Sequence, residues 1–97
     1  MAAYIYGEIE ITDAEGYEAY WRDVPGVIAA HGGRYRVRGG AVTVLEGEAS
    51  ARRRVILEFP DMAALLGFYH SAEYQALAAV RQRCSTGTIV AIEGPPE

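Results

Sequence analysis

The chain has 97 residues, 51% hydrophobic and 23% charged, the ordinary mixture of one soluble globular domain spanning residues 1–97. No apolar run approaches the about 20 residues that cross a bilayer, and the lone Cys84 leaves no intramolecular disulfide to form. The formal net charge of −4 argues against a nucleic-acid partner, which normally meets a basic surface.

At the N-terminus, MAAYIYGEIE has no basic stretch ahead of an apolar one, so a cytoplasmic protein without a membrane partner is expected. In residues 3–11, Ile5, Gly7, Ile9 and Ile11 alternate with Tyr4, Tyr6, Glu8 and Glu10, the period of a half-buried strand. Thr12 with Glu15 forms one helix start and Asp13 another. Tyr17, Tyr20, Trp21, Val24, Ile28 and His31 follow at helical spacing, and Pro25 predicts a kink or restart near Asp23-Val24-Pro25. His31-Gly32-Gly33 ends the helix.

A second strand covers residues 34–38. Gly39-Gly40 reads as a tight turn, residues 41–46 as the returning strand, and residues 47–53 as a polar loop. The run RVILEF, residues 54–59, is a strand stopped by Pro60. Asp61 caps a helix from Met62 to about Tyr69, and Ser71 caps another from Ala72 to about Arg83, where Arg81 and Arg83 suit the dipole. A last strand runs over 85–93, and Gly94-Pro95-Pro96 closes the structured chain.

The order β-α-β-β-β-α-α-β is an α+β, ferredoxin-like plan, an antiparallel sheet with helices on one face. Alternation puts Tyr35 and Val37 toward the core and leaves Tyr4, Tyr6, Glu8, Glu10, Arg34, Arg36, Arg38, Arg54, Ile56 and Glu58 on the uncovered face. A one-residue slip in any strand reverses its faces. Such a face is either solvated or packed against a second copy, and its tyrosine-rich surface favours a homodimer.

The runs AYIYGEIEITD, IAAHGGRYRVRGGAVTVLEG and RRRVILEFPDMAALLGFYHSAEYQAL cover nearly the whole chain. With HGGRYRVRGG followed by LEG, then EFP and YxSxEY, the chain resembles the bacterial domain-of-unknown-function family numbered 1330, in the dimeric α/β-barrel superfamily. The resemblance implies a ferredoxin-like protomer whose sheets pair in a dimeric α/β barrel. It carries over no catalytic residue. Superfamily members include cofactor-free monooxygenases, haem-degrading enzymes, muconolactone isomerases and stress-induced proteins, an analogy of fold only.

Several residues could carry chemistry, each with a plainer role beside it. His31 can serve as a general base or bond the helix-terminal carbonyls. Tyr69, His70 and Tyr74 can line a pocket mouth or form the joint between two helices. Glu58 with Glu8 and Glu10 can supply acid–base chemistry, and Arg36 can hold an anion, or these groups form cross-strand ion pairs. Cys84 lacks an assured activating base, the Arg52-Arg53-Arg54 run reads as a solvated turn, and the glycine pairs lack a dinucleotide-site context.

Two functions fit. One is a cofactor-free enzyme, monooxygenase- or isomerase-like, acting on a small aromatic or acidic metabolite between helices and sheet. There Tyr6, Arg36, Tyr69, His70 and Tyr74 would bind substrate and His31 or Glu58 would move a proton, with neither metal nor organic cofactor. The other is a non-catalytic dimer that binds a metabolite or protein partner.

Overall fold

The computed structural model describes residues 1–48 and 50–95. Ala49, in the expected polar loop, and Pro96, in the expected terminal stop, lie outside the described residues. The elements are β1 (Ala3–Ile11), α1 (Ala14–Ala30), β2 (Arg34–Arg38), β3 (Arg53–Phe59), α2 (Met62–Tyr69), α3 (Ala72–Cys84) and β4 (Ser85–Glu93). One antiparallel sheet in the order β2-β3-β1-β4 carries the three helices, the ferredoxin-like arrangement. No described helix is long and apolar enough to cross a membrane.

Each helix starts on a side-chain cap. Asp13, rather than Thr12, accepts from the Gly16 N–H at 3.1 Å. Asp61 accepts from Ala64 at 2.7 Å and Ser71 from Tyr74 at 3.1 Å. These bonds satisfy backbone donors that a helix N-terminus leaves free. The C-terminus of α3 is closed by the chain itself, since the N–H groups of Thr12 and Asp13 both donate to the Cys84 carbonyl. That bond pair ties the end of α3 to the start of α1, and the two helices pack along each other.

The core fills the space between helices and sheet. Ile5 and Ile9 of β1 and Leu57 and Phe59 of β3 meet Tyr17, Val24 and Ile28 of α1, Leu65 and Phe68 of α2, and Tyr74 and Ala78 of α3. Phe68 stands between Phe59 and Tyr74, with ring centroids 5.1 and 4.4 Å away. Burial of such large apolar groups is the main driving force of the fold.

Three sequence expectations are corrected. Helix α1 runs unbroken through Pro25, so no restart occurs there. Packing of Val24 and Ile28 into the core holds the segment helical although Pro25 cannot bond the Trp21 carbonyl. Residues 41–46 form no strand, which leaves four strands rather than five among the described residues. Gly39, at φ +69°, donates to the Arg54 carbonyl, so the chain stays on β3 instead of folding back over β2. Finally, the β2–β3 register shifts between Tyr35 and Val37. This bulge turns Val37 to the uncovered face beside Ile56 and brings Arg38 to the helix side, the reverse of simple alternation.

The uncovered face is therefore ordered in rows. Val90, Tyr6, Ile56 and Val37 pair across all four strands as an apolar stripe. On one side of it lie Ile92, Tyr4, Glu58 and Arg34; on the other lie Thr88, Glu8 and Arg54.

Candidate functional site

A cavity of about 40 Å³ lies between the helices and the sheet. Its floor is apolar, formed by Ile5, Gly7 and Ile9 of β1, Val55 and Leu57 of β3, and Ile89 of β4. Tyr17, Tyr20 and Trp21 of α1, Tyr35 of β2 and Tyr74 of α3 supply an aromatic wall. These rings are placed by helix periodicity, because residues 17, 20, 21, 24 and 28 share one stripe of α1. Tyr17 packs its ring 5.3 Å from Tyr20 and 5.9 Å from Trp21.

Few polar groups reach this space. The Tyr20 and Tyr74 hydroxyls share a hydrogen bond of 3.0 Å. Burial, reinforced by the neighbouring Tyr74, pushes the Tyr20 phenol far above its ordinary value, so Tyr20 stays neutral and hydrogen-bonded. Burial likewise raises the phenols of Tyr17 and Tyr35.

Arg81 is the charged group of the lining. It is only 9% exposed, and its Nε has no hydrogen-bond acceptor among the described residues. Burial alone would lower its pKa, but the neighbouring Tyr74 and Tyr20 oxygens more than offset this and raise it. No Asp, Glu or His belongs to the lining among the described residues.

Two further arginines adjoin the aromatic wall. The Arg53 guanidinium sits 4.0 Å from the Trp21 ring centroid, and that of Arg38 4.4 Å from Trp21 and 4.6 Å from Tyr35. Desolvation, with the nearby Arg38 charge adding to it, lowers the Arg53 pKa, and its buried Nε also lacks an acceptor among the described residues.

The residues singled out from the sequence fall in separate places. Tyr74 lines the cavity. His31 caps the end of α1, with Nδ1 3.0 Å from the Val27 carbonyl and its ring edge-on to Phe68. Glu58 lies on the uncovered face and accepts from both Arg34 and Arg36. The Arg36 hydrogen bond outweighs partial desolvation and, with Arg34, holds the Glu58 carboxyl below its ordinary value. Tyr6 shares that face, its hydroxyl accepting from Arg54 Nε at 3.3 Å, while Arg54 also pairs with Glu8 at 3.4 Å. Tyr69 and His70 border a separate open hollow of about 290 Å³, with Leu65, Leu66 and Val90. The chain thus brings neither His31 nor Glu58 to the cavity.

Sequence reasoning missed Arg81, Tyr17, Tyr20, Trp21 and Tyr35 as site residues. The signal for Arg81 was available: positions 74, 78 and 81 fall on one stripe of α3, and all three are buried. Cys84, buried beside Asp13 Oδ2 at 3.9 Å, belongs to a separate contact at the start of α1. Among the described residues, no group of three or more His, Cys, Asp or Glu stands close enough to hold a metal ion.

Residues 2–95 match the family described as "Domain of unknown function (DUF1330)". The chain belongs to this family. Among solved structures it is similar to RPA0582, a protein of unknown function from Rhodopseudomonas palustris, with 19% identity and a TM-score of 0.74 over 99% of this chain and 84% of that one. It is also similar to SnoaB, a cofactor-independent oxygenase from Streptomyces nogalater, with 14% identity and a TM-score of 0.66 over 99% of this chain and 95% of that one. An antibiotic biosynthesis monooxygenase aligns with 14% identity and a TM-score of 0.53 over 99% of this chain and all of that one. At these identities the likeness establishes the fold that the DUF1330 member shares with them. No curated protein matches the chain.

Proposed function

We propose that this DUF1330 protein is a homodimer that binds a small aromatic or acidic metabolite between its helices and sheet. The carrying observation is the cavity of about 40 Å³ walled by Tyr17, Tyr20, Trp21, Tyr35 and Tyr74, with Arg81 as its charged group. Ligand sites are concave and mostly apolar, with a few placed polar groups that orient the bound molecule. The apolar stripe on the uncovered face, bordered by Glu58–Arg34 and Glu8–Arg54 pairs, supports self-association through that face.

Binding is the reading the geometry favours over acid–base catalysis, because no His or carboxylate lines the cavity among the described residues. An enzymatic role, monooxygenase- or isomerase-like without a cofactor, draws support from the fold likeness to SnoaB. In this cleft it would rest on Arg81 and the Tyr20–Tyr74 pair stabilising negative charge on a substrate oxygen.

A thermal-shift screen against aromatic acids, lactones and neutral aromatics tests the proposal. A ligand at about 100 times its dissociation constant adds roughly 2.7 kcal/mol of stability. Hits are expected to change the emission of Trp21, the chain's single tryptophan. Hits that leave Trp21 untouched would place binding elsewhere. Any turnover of a hit should survive His31→Ala and Glu58→Ala, and loss of turnover in either would return acid–base catalysis to those residues.

A further inference from the structure

We propose that the cavity is an anion site in which Arg81 receives the carboxylate of the bound molecule, an inference that rests on the cleft reading above and narrows its ligand class. Arg81 is nine-tenths buried, belongs to the cavity wall, and offers an Nε donor with no acceptor among the described residues. Its electrostatic neighbours are the phenols of Tyr74, Tyr20 and Tyr69, not carboxylates. A buried charge without a counter-charge is costly, and an arginine fork is built to take two carboxylate oxygens in its plane.

The surroundings add to the imbalance. Arg53 and Arg38 place two more guanidinium groups against the Trp21 wall, and the buried Arg53 Nε is also without an acceptor among the described residues. The chain has thirteen acidic residues and a net charge of −4, yet none of the acids lines this cavity among the described residues. This local positive charge runs against the sign of the whole molecule and suits an anionic ligand.

Size limits what enters. A cavity of about 40 Å³ holds a few water-sized groups, enough for a carboxylate head. Ile5 and Ile89 border both this cavity and the open hollow of about 290 Å³, so the body of a larger acid enters only as these two side chains shift.

Benzoate and its neutral isostere benzamide are the probes, titrated into the protein with Trp21 emission and the thermal midpoint as readouts. Benzoate should bind at least about tenfold more tightly, the margin of a charge-assisted hydrogen bond. Arg81→Met, checked for folding by circular dichroism, should bind the two alike. Arg81→Lys keeps the charge without the fork and should retain part of the preference, which holds the test should the methionine variant not fold. Equal binding by the wild type, or a benzoate preference that survives in Arg81→Met, would overturn the anion site while leaving an aromatic cleft in place. No response of the wild type to either probe would overturn both.

Discussion

Gly33 stands where the chain leaves α1 for β2, and a methyl group there would lie 2.5 Å from the Phe59 ring and 2.9 Å from the Ile28 side chain. Both neighbours are among the most buried residues, so neither can yield cheaply. Gly33→Ala should therefore lose about 1–3 kcal/mol, the cost of overpacking a closed core. Urea unfolding with an unchanged midpoint would contradict this contact. A second residue-scale consequence concerns pH. The phenols of Tyr17, Tyr20 and Tyr35 titrate above the ordinary value in the folded chain because burial disfavours their charge. A raised folded pKa means that the stabilisation is complete below the unfolded value of about 10 and declines as pH rises beyond it. Absorbance titration near 295 nm should show native tyrosines lagging behind those of the unfolded chain, and unfolding midpoints should fall above that pH. Superimposed native and denatured titration curves would refute it.

At the scale of elements, the helix caps and the strand alternation were legible because they depend on local chemistry. Asp61 and Ser71 cap α2 and α3 where short polar side chains precede apolar periodicity. The errors arose where neighbours decide. Pro25 offered a local reason to break α1, but the core contacts of Val24 and Ile28 keep the helix running. The bulge in β2 depends on how β3 pairs with it, and nothing in RYRVR marks the extra residue. Residues 41–46 have a strand's alternation without a strand partner among the described residues, and Val44 and Leu45 remain exposed. The cavity was less legible than the fold for the same reason: His31 and Glu58 carry the chemically suggestive groups and lie elsewhere, while tertiary packing lines this cavity with tyrosines and an arginine. The internal proline gives a direct test. An interior proline costs about 3 kcal/mol relative to alanine, partly offset by its restriction of the unfolded chain. Pro25→Ala should raise the unfolding midpoint, and a lowered midpoint would mean that the ring's packing, rather than its missing donor, governs this turn.

At the scale of the whole molecule, a single helix layer leaves one sheet face bare, and that face carries a four-strand apolar stripe. A chain of this length buries only about two thirds of its unfolded surface, so association through the stripe is a ready source of stability. Sedimentation should give twice the 10.5 kDa chain mass. Val90 is 42% exposed in the protomer, so Val90→Asp should leave folding intact and shift the protein to monomer. A variant that remains dimeric would move the interface off this face, and a wild-type monomer would contradict the dimer itself.

The cavity and the bare face leave two surfaces in want of a partner, and at the first of them Arg81 serves a ligand rather than the fold. The most direct measurement is the thermal midpoint of wild type and Arg81→Met, without ligand and with benzoate. A buried guanidinium without a counter-ion is often replaced by an apolar side chain at no loss, or with a gain, of stability. The ligand-free Arg81→Met protein should melt at or above the wild-type temperature and show no benzoate shift, while the wild type shows one. A variant that melts lower yet keeps the benzoate shift would make Arg81 a structural prop and contradict the account.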